Sequence, residues 1–363
     1  MVQSAVELGV SPARRVGAGR SSAMIREQWY AVLESRAVPR GRPLGLTRLG
    51  ERLVLWRRAD GSIACFEDRC CHRGAALSPG RIVEGNLECP YHGFLFDGDG
   101  QCTKMPCQGK DYEIPKSYRV RSYPVREHCG LLWVWFGAPR LELPELPWFD
   151  DLPASPRGSA MYQQVWPFHY TRIMEQMFDL HHAAFAHRTI GGGLLFGTLI
   201  EDIDASLEGD LIRFAGVIRK EDKAKGQPFR ITARLSITCL RIGEGLRGLV
   251  VVTPIDASSC WIFTRLFHDV TSVPGLSWLV SYLGLLSDFR LAQPQDKAII
   301  ASQSPEVADL RANKLVSADR GVLLWHRLHA RLLAAEAETQ PLVTLEDRRA
   351  DAQPTRAPEV RVG

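Results

Sequence analysis

Two short cysteine–histidine pairs constrain this chain more than any other feature of its sequence. The first pair is Cys70-Cys71-His72 and the second is Cys89-Pro90-Tyr91-His92, with residues 73–88 between them. Each pair offers one thiolate and one imidazole, and a glycine follows each pair within two residues (Gly74 and Gly93). Two thiolates and two imidazoles make a four-ligand set that suits iron or zinc. The sequence therefore predicts one metal site formed by both pairs.

The spacing of these ligands favours iron over zinc. Structural zinc sites usually have C-x2-4-C followed by H-x3-5-H, whereas here C-x-H precedes C-x2-H. Zinc is therefore the less favoured alternative. In an iron–sulfur cluster, two neutral imidazoles in place of two thiolates remove negative charge. They raise the reduction potential from roughly −400 mV to between about −150 and +300 mV. Such a site passes single electrons.

A second group of possible ligands lies about ninety residues further along the chain, where a helix is predicted over 170–186. Asp179, His182 and His187 fall within or just after it. Two histidines and one carboxylate are the ligand set of non-haem Fe(II) oxygenases. Residues five apart on a regular helix differ by about 140°, so His182 and His187 would not share a face. Either the helix ends or widens between them, or they are not co-ligands.

Both motifs resemble those of the Rieske non-haem iron oxygenases. Cys70-x-His72-Arg73-Gly74 and Cys89-Pro90-Tyr91-His92-Gly93 match the family's cluster motif, and Glu175-x3-Asp179-x2-His182-x4-His187 matches its iron motif. The resemblance implies that Cys70 and Cys89 hold one iron of a [2Fe–2S] cluster and that His72 and His92 hold the other. It also implies that His182 and His187 bind a mononuclear Fe(II). Ala75 and Tyr91 stand where respiratory Rieske proteins have disulfide cysteines, so that subclass is disfavoured.

The third ligand of the mononuclear iron is expected from an acid further along the chain. The segment Gln295–Gln303 resembles the one that holds the family's ligand aspartate, which favours Asp296; otherwise Asp296 is a solvated carboxylate at a helix N-terminus. Asp179 is implied to carry electrons between subunits, by accepting hydrogen bonds from a neighbour's His92 and its own His182; otherwise it caps its helix. The other candidate acids for the ligand position are Asp269, Asp288, Glu306, Asp309 and Asp319.

The predicted fold class is α+β, with an N-terminal all-β Rieske domain (28–139) and a C-terminal helix-grip catalytic domain (155–345). A linker (140–154) separates them, because the four prolines in 139–153 exclude a helix or central strand there. We expect a flexible arm over 1–27 and a disordered tail over 346–363. The predicted elements are strands at 53–56, 63–66, 131–136, 211–218, 231–240, 249–253 and 261–267, and helices at 296–303 and 319–335.

The apolar segment Leu276–Leu286 has eleven residues, which is too short to cross a bilayer. We expect a buried helix or one wall of a substrate pocket, with the loop Gly191–Gly197 as another wall; the alternative for Leu276–Leu286 is interfacial contact with a membrane. A mainly hydrophobic or aromatic substrate follows from both walls. The net charge of +4 does not indicate a nucleic-acid partner. No apolar leader is visible in residues 1–23, so a cytoplasmic location is expected.

The chain shows no flavin or nicotinamide motif, so we expect electrons from an external NAD(P)H-dependent reductase, directly or through a ferredoxin. The resemblance favours the homotrimeric branch that includes vanillate O-demethylase and pheophorbide a oxygenase. It implies O2-dependent monooxygenation, by hydroxylation or by O- or N-demethylation, with one [2Fe–2S] cluster and one Fe(II) per chain. The alternatives are a Rieske electron-transfer protein without a catalytic iron, and a family member that desaturates or cyclises its substrate.

Overall fold

The computed structural model describes residues 24–153, 155, 158–187, 197–220, 225–243 and 245–339. Most of the predicted arm, the predicted tail and positions 191–196 of the predicted pocket loop lie outside these ranges. Within the arm, residues 24–27 pack against the protein. Ile25 is buried, and Arg26 lies 3.3 Å from Glu51.

Three antiparallel sheets make up the N-terminal part. The predicted hairpin through Asp60-Gly61 is confirmed, because β3 pairs with β4 across this turn, and the strand at 131–136 is also present. The sheet orders are β1-β11-β10, β2-β3-β4-β9 and β5-β6-β7-β8. The strands are β1 (Gln28–Glu34), β2 (Leu44–Arg48), β3 (Glu51–Arg57), β4 (Ile63–Glu67), β5 (Arg81–Val83), β6 (Asn86–Glu88), β7 (Leu95–Phe96), β8 (Cys102–Lys104), β9 (Ser122–Tyr123), β10 (Val125–His128) and β11 (Leu131–Phe136).

A seven-stranded antiparallel sheet forms the C-terminal part, in the order β12-β18-β17-β16-β15-β14-β13. The prediction of a single strand over 231–240 is wrong. The chain turns at residues 234–236, where Arg234 N–H bonds to the Ile237 carbonyl at 2.9 Å. The run is apolar on both sides of the turn and contains no glycine or proline to mark it. The strands are β12 (Ala160–Trp166), β13 (Thr198–Glu208), β14 (Leu211–Lys220), β15 (Gln227–Ala233), β16 (Ile237–Ile242), β17 (Leu246–Pro254) and β18 (Cys260–His268).

The large sheet is covered on both faces because its central strands alternate apolar side chains between two cores. Val252 and Ile262 join the core that includes the helix residues Ile173 and Trp325. Their strand neighbours Val251 and Phe263 join a second core, shared with N-terminal residues such as Trp29, Trp133 and Trp135. The N-terminal part therefore packs directly on one face of the C-terminal sheet, and the helices pack on the other.

The proline-rich segment predicted as a linker has no regular strand or helix. It is nevertheless packed, because Phe149 and Leu152 are buried in the core between the two parts. This segment bridges the two parts of the fold instead of holding them apart.

The helix predicted over 170–186 is divided. α1 ends at Phe178, and a separate single turn, α2, begins at Ala183. Asp179 causes the break, since its Oδ1 accepts a hydrogen bond from the His182 backbone N–H at 3.1 Å, and a short polar side chain bonded in this way competes with helix continuation. The helices are α1 (Tyr170–Phe178), α2 (Ala183–Ala186), α3 (Pro274–Ser287), α4 (Gln293–Ser302) and α5 (Arg320–Thr339), with a π-helical turn at Asp288–Ala292 between α3 and α4.

α3 contains the apolar segment Leu276–Leu286, and of its two expected roles the first, a buried helix, is wrong; the second, a pocket wall, stays a prediction. Leu276, Leu279 and Leu283 are exposed, whereas Ser277 and Ser281 are buried. None of the described helices is both long enough and apolar enough to pass through a membrane.

Candidate metal centres

The two cysteine–histidine pairs lie on two loops that share one backbone arrangement. The amide of Cys70 bonds to the Ala75 carbonyl (2.8 Å), and the amide of Cys89 bonds to the Phe94 carbonyl (2.8 Å). Each cysteine carbonyl accepts from a glycine four residues on, Gly74 at 2.9 Å and Gly93 at 3.1 Å. Both glycines have positive φ, +72° and +70°, a conformation that favours glycine. The two loops therefore have the same backbone arrangement, although the first has C-x-H spacing and the second has C-x2-H spacing.

In both loops the cysteine side chain is buried and the histidine side chain is more exposed. Cys70 and Cys89 are buried and form no disulfide, while His72 is exposed and His92 half-buried. The two imidazole rings lie 4.7 Å apart between centroids, and Phe94 stacks on His72 at 4.9 Å. Burial, followed by the neighbouring Cys89 thiol, raises the pKa of Cys70 to about 12. Two buried thiols beside two accessible imidazoles fit a cluster with Cys2His2 ligation.

A second set of side chains converges between α1, α2 and α4. His182 and His187 flank the single turn of α2, so their five-residue spacing does not have to follow one helix face. Asp296 lies in the first turn of α4, and its Oδ1 is 3.3 Å from Nε2 of His182 and 3.3 Å from Nε2 of His187. The ligand atoms of all three residues lie within 4.8 Å of one another. Among the described residues, no other candidate acid joins this group.

A polar side chain lies behind each imidazole. Nδ1 of His187 is within hydrogen-bond distance of Oε1 of Gln295, at 2.7 Å, whereas Nδ1 of His182 lies 3.6 Å from Oδ2 of Asp179, an ion-pair distance without a hydrogen bond. A ring that donates from Nδ1 leaves the lone pair of Nε2 free for a metal. Both Nε2 atoms face Asp296, so the donor set fits a divalent ion held by two neutral histidines and one carboxylate.

The electrostatics of this group show that it is arranged around positive charge. Burial by itself lowers the pKa of His182, but the carboxylates of Asp179 and Asp296 outweigh it and raise that pKa to about 9. Burial raises the pKa of Asp296, but hydrogen bonds from His182 and His187 outweigh it and lower that pKa. A bound cation would take the place of the proton between these groups.

Sequence reasoning missed Gln176, which lies beside the ligand atoms. Its amide nitrogen lies 2.9 Å from Nε2 of His182 and donates to Oδ1 of Asp296 at 3.0 Å. It also missed Gln295, whose contact with His187 depends on the turn at the start of α4. Glutamine at a helix position carries no local signal for either role. Only the known positions of the three ligands single these residues out.

The chain matches two families of known proteins. Residues 28–124 match the Rieske [2Fe–2S] domain, and residues 166–335 match the vanillate O-demethylase oxygenase C-terminal domain. The chain belongs to the Rieske oxygenase family. The cofactors of this family, a [2Fe–2S] cluster and a non-haem iron, fit the two donor sets described above.

Relatives of this chain include a chloroplast protein and the oxygenase component of a demethylase. It is 36% identical over 162 residues to Protein TIC 55, chloroplastic, of Arabidopsis thaliana (44% of this chain, 30% of that protein). It is 38% identical over 170 residues to the oxygenase component of dicamba O-demethylase of Stenotrophomonas maltophilia (45% and 48%). The chain thus aligns with less than half the length of these relatives. The crystal structure of dicamba monooxygenase bound to dicamba matches 87% of this chain and 100% of its own, with 25% identity and a TM-score of 0.71.

The glutamate of the family motif, Glu175, lies in a buried ionic network on α1, the helix that leads to His182. Glu175 Oε2 is 2.7 Å from the Arg172 guanidinium, and Glu175 Oε1 is 2.7 Å from Nε2 of His326 on α5. Arg172 also donates to the carbonyl of Pro305, from Nε at 3.0 Å and from the terminal nitrogen at 2.6 Å. The network therefore joins α1, α5 and the segment after α4, the helix that carries Asp296.

Proposed function

We propose that this chain is the terminal oxygenase component of a multicomponent system that uses O2 to hydroxylate or demethylate a hydrophobic or aromatic small molecule. The convergence of His182, His187 and Asp296 carries this proposal, because an electron carrier has no use for a second metal site. When bound, the cluster at Cys70, His72, Cys89 and His92 supplies single electrons, and the iron at the second site supplies the centre for O2 activation.

The chain's own residues set the properties of the second site. Asp296 offsets part of the charge of a divalent ion. Gln295 holds the His187 imidazole, and Asp179 bonds to the His182 backbone and lies behind its ring, with Nε2 of both rings turned inwards. Three protein ligands on one side leave the other side open to O2 and substrate. These features support an oxygenase over the rival function, a Rieske electron-transfer protein without a catalytic iron.

Counting iron separates these two functions. We expect about three irons per chain in the wild type and about two in His187→Ala. The control is His181→Ala, since His181 precedes a ligand but contacts Phe185 and not the ligand group. It should keep about three irons. Two irons in the wild type would leave the electron carrier as the better account.

The reaction type is tested by turnover. The reconstituted enzyme with a surrogate reductase and a metabolite extract should yield products with one added oxygen or without a methyl group, as detected by mass spectrometry. Products that have lost two hydrogens without gaining oxygen would instead favour desaturation or cyclisation, the alternative chemistry within this family.

The electron partner is proposed to be an external NAD(P)H-dependent reductase, acting directly or through a ferredoxin, in the cytoplasm. We further propose a head-to-tail homotrimer in which His92 of one copy approaches Asp179 of the next. Asp179 suits this role because its carboxylate contacts His182 yet its side chain retains 36% exposure, so it can accept a second hydrogen bond. Sedimentation should give three copies, and a monomer with full activity would contradict this arrangement.

A further inference from the structure

α3 buries small hydroxyl residues and exposes large apolar residues. Its buried stripe contains the hydroxyl residues Ser277 and Ser281, which both donate to the carbonyl of Gly158, at 2.9 and 3.3 Å. The opposite stripe, here called the α3 outer face, is large, apolar and exposed. At 100° per residue it spans an arc of about 160°. It consists of Leu276 (50% exposed), Trp278 (47%), Leu279 (42%), Tyr282 (43%) and Leu283 (55%).

The surroundings of this face extend it and add almost no charge. Val270 and Val273 before the helix and Phe289 and Leu291 after it are exposed too. Residues 270–287 contain no Asp, Glu, Lys or Arg. Of the nearest charged residues, Asp269 pairs with Arg247, Asp288 accepts a hydrogen bond from Tyr162 at 2.6 Å, and Arg290, between Phe289 and Leu291, is an exposed cation. A contiguous apolar surface of this kind on a water-soluble fold marks a binding face.

The chemistry of the face favours a lipid surface over a protein. Its only polar atoms are the indole nitrogen of Trp278 and the hydroxyl of Tyr282, whose rings stack at 5.1 Å. Trp and Tyr are the residues enriched where hydrocarbon meets water. Protein interfaces, in contrast, carry about one hydrogen bond per 100–200 Å2 and a polar rim.

The size of the face leads to the same conclusion. The α3 outer face and its flanks present nine exposed apolar residues. A stable protein interface uses about 20–30 residues from each partner, so α3 with its flanks is too small to hold a second copy by itself. The 14-residue helix is also shorter than the roughly 20 residues that cross a bilayer, but a helix lying flat in the interface needs no such length.

We propose that the α3 outer face binds a neutral lipid surface, with α3 lying in the plane of the membrane. The π-helical turn Asp288–Ala292 connects α3 directly to α4 and Asp296. A membrane-bound α3 therefore places the second metal site close to the hydrocarbon. The substrate would then be a lipophilic molecule taken from the bilayer, and this consequence rests on the proposed oxygenase function. The membrane contact itself does not rest on that function.

Vesicle binding tests the contact without any turnover. The full chain with both metals should co-sediment with phosphatidylcholine vesicles, and raising the salt concentration should change binding less than twofold, since the face is uncharged. Leu279→Glu with Leu283→Glu should weaken partitioning at least tenfold. The control, Leu141→Glu with Leu315→Glu, adds the same charge at two exposed leucines elsewhere and should bind like wild type. Equal binding of both double variants, or no wild-type binding, would overturn the proposal.

Fluorescence quenching locates the contact. All nine tryptophans lie in the described residues, and Trp278 alone among them is exposed. Brominated lipid should quench part of the wild-type emission and none of that of Trp278→Phe. Light scattering of both double variants detects the rival occupant. A smaller assembly in Leu279→Glu/Leu283→Glu alone would show that a second copy covers the face, and would overturn the proposal. Iron content stays at wild-type level in either case, so failure here is distinct from failure of the oxygenase assignment.

Discussion

Removing the carboxylate of Glu175 is the sharpest test of how the fold supports the proposed iron ligands. The side chains of Arg172, Glu175 and His326 are only 4%, 11% and 10% exposed. In Glu175→Ala the Arg172 guanidinium stays buried with the Pro305 carbonyl as its remaining partner among these contacts, and His326 loses its acceptor. Breaking one side of a buried ion pair costs about 3–5 kcal/mol. For a domain of 150–250 residues this lowers the Tm by roughly 6–20 °C.

Two further variants separate the effect of the Glu175 charge on stability from the effect of its side-chain shape. Glu175→Gln keeps one hydrogen-bond acceptor and should lose less stability than Glu175→Ala. In Arg172→Met with Glu175→Ala no charge is left unpaired, so the double variant should lose less than the sum of the two single losses. As a control, Glu208→Ala removes an exposed pair with Arg213 (68% and 46% exposed), which is worth at most about 1 kcal/mol.

Thermal unfolding followed by far-UV circular dichroism measures these losses, and the bound iron is counted in each folded variant. The network ties α1, which leads into Asp179 and His182, to α5 and to the segment after α4. Glu175→Ala is therefore expected to lose mononuclear iron as well as stability, while the visible absorbance of the cluster stays. If Glu175→Ala melted within 2 °C of wild type, the network would not be a clamp and this reasoning would be refuted.

Three other predictions concern single sites. His72→Cys should retain a [2Fe–2S] cluster and lower its potential towards the all-cysteine range, because a thiolate adds negative charge; redox titration measures this, and an unchanged potential would remove His72 from the ligand set. Asp179→Asn should keep the cluster but weaken mononuclear metal binding about 10–100-fold, as judged by chelator competition, and wild-type affinity would contradict its orienting role. Burial lowers the pKa of His169 and of His329 to about 4, below the value near 6.5 of an unfolded chain. The unfolded state then binds more protons between these values, so stability is complete above about pH 6.5 and is lost as pH falls towards 4; urea unfolding at pH 7 and pH 5 checks this, and His329→Gln should flatten the dependence.

Three strands of the N-terminal part, β3, β4 and β11, could be predicted from turn residues and apolar runs. Asp60-Gly61 lies between β3 and β4 and predicts their hairpin, and the apolar run 131–136 coincides with β11. β12 and β13 were not predicted, because polar residues stand among their apolar ones and no clear strand pattern results. β15 and β16 were fused because the turn at residues 234–236 has neither glycine nor proline. Where the chain turns without glycine or proline, tertiary packing determines the position of the turn, and the local sequence does not indicate it.

The metal ligands could be proposed from spacing and resemblance, but their geometry could not. Regular helix geometry opposed a shared face for His182 and His187, and the structure resolves this by ending α1 at Phe178. The side chain that ends it belongs to Asp179, whose carboxylate bonds to the His182 backbone. One residue therefore breaks the helix and also faces the ring of the next ligand. These two roles of Asp179 can be recognised only in the folded chain, where Asp296 lies beside His182 and His187.

α3 shows the limit of reading burial from hydrophobicity. Its sequence is apolar around most of the helix, so composition predicts burial but not which side faces inwards. The inward side is decided by size, because Gly158 brings the backbone close and only serine fits against it: a Cβ added at Gly158 would lie 2.8 Å from the Ser277 hydroxyl. The larger residues Leu276, Trp278, Leu279, Tyr282 and Leu283 face outwards, and Leu285, further along the helix, is buried with the serines. The exposed face of α3 is therefore a consequence of how closely the helix packs on the chain beneath it, and the same close packing holds α3 in place to present that face.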